Sequence, residues 1–348
     1  PSVRLSMLVG KIVLPGRGES WRPVAGESSG AKLFIGRPRR SGVKCSRCRE
    51  EAVTFIRYNG SHLCHHHFVE YVEKRVKKEV RKQVDLNGKE VMAVALSGGK
   101  DSSVALVILS KILAERRGTE LHAITVDEGI SGYRGPSLEC ASRLCSELNV
   151  QHHIVSFRKE FGLEMDDMAP LAGEKTPCTY CGVLRRNCLN RVARSIGADL
   201  VATGLNLDDT AQSILMNFTR GDVERLARMG PHPRVQPGLV PRFQPLRVVP
   251  EKESYLYAML EGIDFSDLEC PYADLALRND YREMIDRMER RSPGIRFSIL
   301  SSQDEIAPLL RESYPPASLN RCACGEPCIE DRCQACQLLE GLRYQANS

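Results

Sequence analysis

The sequence predicts an α/β fold with a mostly parallel sheet, flanked at each end by a small cysteine-rich knuckle. Three observations predict it. β-favouring apolar runs alternate with helix-like stretches through the middle of the chain. A double-glycine turn, Ser97-Gly98-Gly99-Lys100-Asp101-Ser102, joins the first such run to the first such helix. Cysteine pairs at chelating distance stand on both sides of the alternating region. With 348 residues and 42% apolar content, the chain has enough material for one large core and small appendages.

Residues 1–43 are rich in Gly, Pro, Arg and Ser and show no periodicity, so a disordered basic extension is expected there. Eight Lys/Arg against two Glu make that stretch +6, which leaves the other 305 residues near −1 out of a formal total of +5. It reads either as an RNA-binding arm or as an incidental extension. RNA affinity of the body therefore has to come from local patches.

Residues 44–75 read as an N-terminal zinc finger. Cys45-x2-Cys48 is followed fifteen residues on by Cys64-x2-His67, two chelating pairs that can close a tetrahedral shell of structural type. His65 or His66 would also reach; the two-residue gap favours His67. The stripe Val69, Val72, Val76 and Val80 predicts an amphipathic helix whose basic face (Lys74, Arg75, Lys77, Lys78, Arg81, Lys82) either lies along phosphates or is simply solvated.

Residues 76–315 form the expected catalytic domain. Strands are predicted at Val91–Leu96, Leu121–Asp127, Gln151–Phe157 and Asp199–Gly204. Ligands of such sheets bind beyond the carboxyl ends of the strands. That places Ala95, Leu96, Ser97, Gly98, Gly99, Lys100, Asp101, Ser102, Ser103, Val126, Asp127 and Gly204 around one crevice, where the start of a helix favours phosphate. Asp127 serves equally well as a turn residue. No GxxxxGK[ST] loop is present.

Fourteen cysteines, most of them clustered, point to metal rather than disulfides. No membrane-length apolar run and no signal-peptide-like block are visible, so a soluble cytoplasmic protein with no membrane partner is expected. Cys140, Cys145 and Cys188 lie in helix-like segments and read as small buried hydrophobes. Residues 316–348 read as a C-terminal zinc ribbon in which five cysteines compete for four places. Cys322, Cys324, Cys333 and Cys336 are favoured with Cys328 spare, and a set using Cys324 with Cys328 is the alternative.

The motif SGGKDS resembles the signature of the PP-loop, or N-type ATP pyrophosphatase, superfamily (adenine nucleotide alpha hydrolase-like). Pro177-Cys178-Thr179-Tyr180-Cys181-Gly182-Val183-Leu184-Arg185-Arg186, the stretch Thr203 to Asp222, Pro250-Glu251-Lys252-Glu253 and Glu269-Cys270-Pro271-Tyr272-Ala273 together resemble the tRNA 2-thiouridine synthetases of the TtuA and NcsA type, which include the eukaryotic cytosolic thiouridylases. The resemblance runs from about residue 45 to the C-terminus. It implies a 4Fe-4S cluster on Cys178, Cys181 and Cys270, with one iron free of protein ligands. The same three thiols could instead work as a persulfide and its resolving partner, or hold a structural zinc with a fourth ligand elsewhere.

The resemblance further implies that ATP and Mg2+ adenylate the uridine C2 oxygen before sulfur replaces it, with SGGKDS on the departing pyrophosphate and Lys100 offsetting its charge. Asp101 would orient the loop or the metal. Asp209 matches an acidic position near the nucleotide, while Asp208 reads as a helix cap. Arg185 is the candidate for steadying the activated base or α-phosphate, or else is a surface phosphate binder. The implied partners are tRNA, a thiocarboxylated ubiquitin-like sulfur carrier or free sulfide, and a second copy of the chain. The two zinc knuckles are expected to form an RNA-facing platform or a dimer contact. A PP-loop cytidine thiolase, an amide-forming PP-loop synthetase and a non-catalytic tRNA-binding zinc protein are the competing classes; amide formation has no use for the cysteine trio.

Overall fold

The computed structural model describes residues 42–346 apart from residues 87, 115, 117, 174, 233–235 and 274–276. The extension expected over residues 1–43 lies, but for its last two residues, outside the described residues.

The N-terminal knuckle is a hairpin of β1 (Thr54–Ile56) and β2 (Ser61–Leu63), followed by α1 (His65–Gln83). Then come β3 (Val91–Ala95), α2 (Lys100–Ala114), β4 (Glu120–Asp127), α3 (Arg134–Glu147), β5 (Gln151–Ser156), the short α4 (Phe157–Phe161) and α5 (Met165–Met168), α6 (Pro177–Ser195) and β6 (Leu200–Thr203). After these follow α7 (Leu207–Thr219), α8 (Val223–Ala227), β7 (Arg242–Phe243), α9 (Glu251–Leu260), α10 (Arg278–Arg291) and α11 (Ile295–Ser313). The C-terminal ribbon pairs β8 (Asn320–Arg321) with β9 (Pro327–Cys328) and continues into α12 (Gln334–Ala346). No described helix is long and apolar enough to cross a membrane.

The central sheet has five strands in the order β5-β4-β3-β6-β7, and every pairing is parallel. The chain runs outward from β3 through β4 to β5 and then returns to the other side of β3 with β6. Such a reversal opens a crevice at the carboxyl ends of β3 and β6. Four strands match the expected runs to within a residue at each end. The fifth, β7, was not expected: two residues are too few for any alternation to register.

Side chains divide by the period of two that a strand imposes. Met92, Val94 and Leu96 of the first strand region, with Leu200 and Ala202 of β6, enter the core under α1, α2 and α9. Ala93, Ile124, Val126 and Val201 point the other way, into the core under α6 and α12. Helix α2 is covered on nearly every side, which accounts for its near-continuous apolar sequence from Val104 to Leu109. Helix α1 buries Phe68, Val72, Val76 and Val80, as the stripe requires, and it passes through residue 75, so knuckle and body share one helix. Its Arg75 is not on a solvated basic face. The guanidinium bonds Glu253 at 2.8 Å and donates to the Val248 carbonyl, with Tyr58, Tyr71 and Phe297 packed around it.

Two glycines are required by approach distance. Gly98 has φ +82°, and a Cβ there would lie 1.9 Å from the Ser137 carbonyl oxygen. At Gly204 it would stand 2.8 Å from the Ser102 backbone. Gly132 also has a positive φ, +72°, but nothing within 4 Å. Gly98→Ala should therefore lower stability by more than about 3 kcal/mol, against about 1 kcal/mol for Gly132→Ala. Urea unfolding of the two variants checks the difference; equal losses would contradict the close approach of α3 to the turn.

Candidate functional site

The glycine turn is built by its own serines. Ser102 Oγ donates to the Gly99 carbonyl at 2.9 Å and accepts from the Ser97 N–H at 3.1 Å, while the Ser97 hydroxyl lies 3.0 Å from it. These bonds hold the turn open at the start of α2, where unpaired backbone N–H groups and the helix dipole suit phosphate. Lys100 Nζ spans Asp101 at 3.0 Å and Glu251 at 2.8 Å. Burial works against its charge, but the two carboxylates outweigh it and hold the ammonium above its usual range. The other Asp101 oxygen, Oδ1, is buried and has no hydrogen-bond partner among the described residues.

This turn forms part of one cleft of about 1300 Å³, together with Ala95, Leu96, Val126 and Gly204 from the strand ends and Gly182, Arg185 and Arg186 from α6. The loop bearing Cys270 forms a further wall through Asp267, Leu268 and Glu269, and it is tied to the turn by the Ser266 N–H, which donates to the Gly98 carbonyl at 2.9 Å. Cys178 and Cys181 are the second and fifth residues of α6. The Cys178 thiol is exposed, 3.6 Å from the Tyr272 carbonyl; Cys181 is buried and Cys270 half-buried. Burial pushes the Cys181 and Cys270 thiols up; Arg185 pulls against it at Cys181, and the Tyr272 backbone N–H at Cys270.

A chain of charges connects the cysteines to the turn. Arg185 donates to Cys181 Sγ at 2.9 Å and pairs through Nε with Glu128 at 2.7 Å. Glu128, 3% exposed, pairs also with Arg134 Nε at 2.7 Å. Arg134 in turn donates to the Ser97 carbonyl at 3.0 Å and to the Val126 carbonyl. Sequence reasoning missed both Glu128 and Arg134. A period-two signal was available for Glu128, which stands two residues beyond the inward-facing Val126, whereas Asp127 faces away.

Other expected residues land as follows. Asp127 closes a turn, accepting from the Gly129 N–H at 3.0 Å. Ser103 lies beneath the turn and is 1% exposed. Asp208, read from sequence as a cap of α7, does not cap it. Asn206 does, exchanging bonds with Asp209 in a capping box, because it occupies the N-cap position while Asp208 is already the second residue inside the helix. Asp208 instead lines the cleft, accepting from the Glu251 N–H at 2.7 Å and pairing with Arg296 at 2.6 Å. Asp209 pairs with Arg278 at 3.1 Å; burial lifts its carboxyl despite that arginine.

Two further clusters have the donor sets of closed metal shells. Ligand atoms of Cys45, Cys48, Cys64 and His67 all lie within 4.8 Å of one another, as do those of Cys322, Cys324, Cys333 and Cys336. His65 and His66 are exposed. Burial raises the Cys45 thiol, but backbone N–H groups outweigh it and bring Cys45 down to about 6; donors from Cys324 and Cys333 bring Cys322 down to about 6. Cys328 faces the Asn320 carbonyl at 3.7 Å. The thiols of Cys178, Cys181 and Cys270 are not gathered within that distance of one another.

Residues 70–288 match the PP-loop domain family, and residues 44–69 match the 2-thiouridine synthetase TtuA N-terminal LIM domain. The tRNA 2-thiolation protein NcsA of Haloferax volcanii is 37% identical over 322 residues, covering 86% of this chain and 99% of that protein. The tRNA-5-methyluridine(54) 2-sulfurtransferase of Pyrococcus horikoshii is 32% identical, over 88% of this chain and 96% of its own length. The solved U34-tRNA thiolase NcsA from Methanococcus maripaludis, with its 4Fe-4S cluster, superposes with a TM-score of 0.75 at 31% identity, over 86% of this chain and 96% of that one.

The two tight clusters give a direct expectation. Cys322→Ser and Cys333→Ser should each lose about one bound metal per chain, while Cys328→Ser should retain it. Elemental analysis of the purified variants checks this; metal loss in Cys328→Ser would reassign the ribbon.

Proposed function

Because the chain belongs to the PP-loop family of tRNA 2-thiolation proteins, we propose that it converts a tRNA uridine to 2-thiouridine, using ATP to activate the C2 oxygen. The observation that supports this best is the cleft that runs from the glycine turn to Gly182, Arg185 and Glu269, the chain neighbours or bonding partners of Cys181 and Cys270, with Arg185, Glu128 and Arg134 linking Cys181 back to the turn. A volume of about 1300 Å³ exceeds the few hundred to about 1000 Å³ of an ordinary small-molecule pocket, which leaves room for a nucleobase beside ATP.

In the first step the uridine O2 attacks the α-phosphorus, the bond to the β-phosphate breaks, and pyrophosphate leaves. The N–H groups at the start of α2 and the Lys100 ammonium face that developing charge. Asp101 Oδ1, buried and unpartnered, is suited to Mg2+. In the second step sulfur adds at C2, and the C2–O bond breaks to release AMP. Cys178, Cys181 and Cys270 suit a 4Fe-4S cluster: none is in a disulfide, and the N-terminal end of α6 favours the negative charge of thiolates. Cys178, Cys181 and Cys270 would hold such a cluster, which would supply an iron position able to bind sulfide. Arg185, between Cys181 and Glu128, presents a fixed cation to the leaving adenylate. Sulfide itself would come free or from a thiocarboxylated carrier. The N-terminal shell of three cysteines and one histidine and the C-terminal shell of four cysteines would each hold zinc.

Cys270→Ala should abolish 2-thiouridine formation and leave ATP binding within about twofold. Asp101→Ala should instead cut tRNA-dependent AMP release by roughly 100-fold or more. Nucleoside mass spectrometry and AMP release with unmodified tRNA measure the two. Full thiolation by Cys270→Ala would reject the cysteine role, and no thiolation by any wild-type preparation would reject the function.

A further inference from the structure

One wall of the cleft holds cations that the adenylation step does not use. Arg186 follows Arg185 on α6 and folds back over Gly182, its Nη1 lying 3.5 Å from where a Cβ would stand. That places the guanidinium beside the residue following Cys181. Arg242 projects from β7, whose backbone exchanges hydrogen bonds with His232 at 2.8 and 3.1 Å, so both side chains line the same part of the cleft. Neither Arg186 nor Arg242 makes an ion pair or a side-chain hydrogen bond among the described residues.

The acids of the cleft do not neutralise this wall. Asp101 and Glu251 are taken by Lys100, Glu128 by Arg134 and Arg185, and Asp208 and Asp286 by Arg296, while Asp267 and Glu269, on the loop bearing Cys270, are not among the charges acting on Arg186 or Arg242. The charged groups acting on Arg186 are Arg185 and Arg225, which are cations, and the Cys181 thiol; on Arg242 the acting group is Arg186. Burial and this repulsion both lower the two arginines from their ordinary value, and burial with Arg242 and Arg311 lowers His232, which leaves it a neutral hydrogen-bonding group. Like charges gathered in a concave site without a counter-charge are stabilised when an anion arrives.

We propose that Arg186 and Arg242 form an oxyanion subsite that holds the phosphodiester beside the reacting uridine, on the sulfur side of the cleft and apart from the ATP phosphates. The inference rests on the tRNA reading above. The triphosphate is already provided for at the glycine turn, where α2 begins and Lys100 stands. A nucleotide whose base must reach the cysteines brings its own backbone phosphates to the other wall. Arginine suits that task because its planar fork bonds phosphate oxygens in pairs.

The test uses the full chain with unmodified tRNA and, separately, with ATP. In the Arg186→Gln/Arg242→Gln double variant the Kd for tRNA should rise roughly tenfold, and the slope of log Kd against log salt should fall by about one, while the Kd for ATP stays within about twofold. The Arg186→Lys/Arg242→Lys variant should recover most of the salt slope, which a folding defect would not. Weakened ATP binding with tRNA affinity intact would assign the pair to the nucleotide's α-phosphate and overturn the subsite. Unchanged tRNA affinity and slope, beside a wild type that binds tRNA, would overturn it too. A wild type that binds no tRNA would remove both this inference and the function on which it rests.

Discussion

The site depends on a buried carboxylate shared by two arginines. Glu128 is 3% exposed, and taking such a charge out of water costs several kcal/mol unless it is fully compensated. Arg134 and Arg185 compensate it from opposite sides at 2.7 Å each. Their remaining donors are spent on backbone and sulfur. Arg134 satisfies the Ser97 and Val126 carbonyls, which lie at the strand ends where the sheet ladder gives out, and Arg185 reaches Cys181. Removing the carboxylate would leave two cations facing each other across the junction of strand ends and α6. The glycine turn and the cysteine helix therefore hold their relative position through one group.

Each knuckle braces one wall of the same cleft. The N-terminal one continues into α1, which bears on α9: Glu73 on α1 and Glu261 beyond α9 both take Lys111 of α2, and His65 approaches Glu261 at 3.5 Å. The C-terminal ribbon holds α6. Its Glu326, 4% exposed, accepts from Asn190 at 2.9 Å and faces Arg191 and Arg194 at 3.5 and 3.4 Å. Among the described residues, then, the two cysteine-rich modules stiffen the helices behind the glycine turn and the cysteine trio. That makes intelligible why small folds with little core of their own carry strong ligand sets.

What could be read from the sequence was what depends on neighbours in the chain. SGGKDS encodes its turn locally, since Ser97, Gly99 and Ser102 bond one another. The cysteine spacings likewise bear on which thiols meet: those of Cys322, Cys324, Cys333 and Cys336 lie within 4.8 Å of one another, while Cys328 faces the Asn320 carbonyl. Groups whose role comes from distant partners were hidden. Asp208 looked like a cap because it stands beside Asp209 at the start of a helix, yet its carboxylate serves Glu251 and Arg296, far along the chain. Arg75 belonged to a basic run and is instead enclosed by aromatic rings and Glu253. β7 was too short to alternate, but it brings Arg242 to the cleft.

Electrostatic asymmetry across the cleft follows from this arrangement. The side holding Lys100 is balanced internally by Asp101 and Glu251, so a polyphosphate arriving with Mg2+ exchanges partners instead of meeting bare charge. Elsewhere in the cleft, Arg185 is balanced by Glu128, while Arg186 and Arg242 make no ion pair among the described residues. A reaction joining two anionic substrates must overcome their mutual repulsion before chemistry begins. On the proposed reading, Arg186 and Arg242 would reduce that repulsion where the second substrate enters. Glu128 and Cys181 together fix the Arg185 guanidinium, which on the proposed reading would keep it aimed at the departing adenylate and not at that second anion.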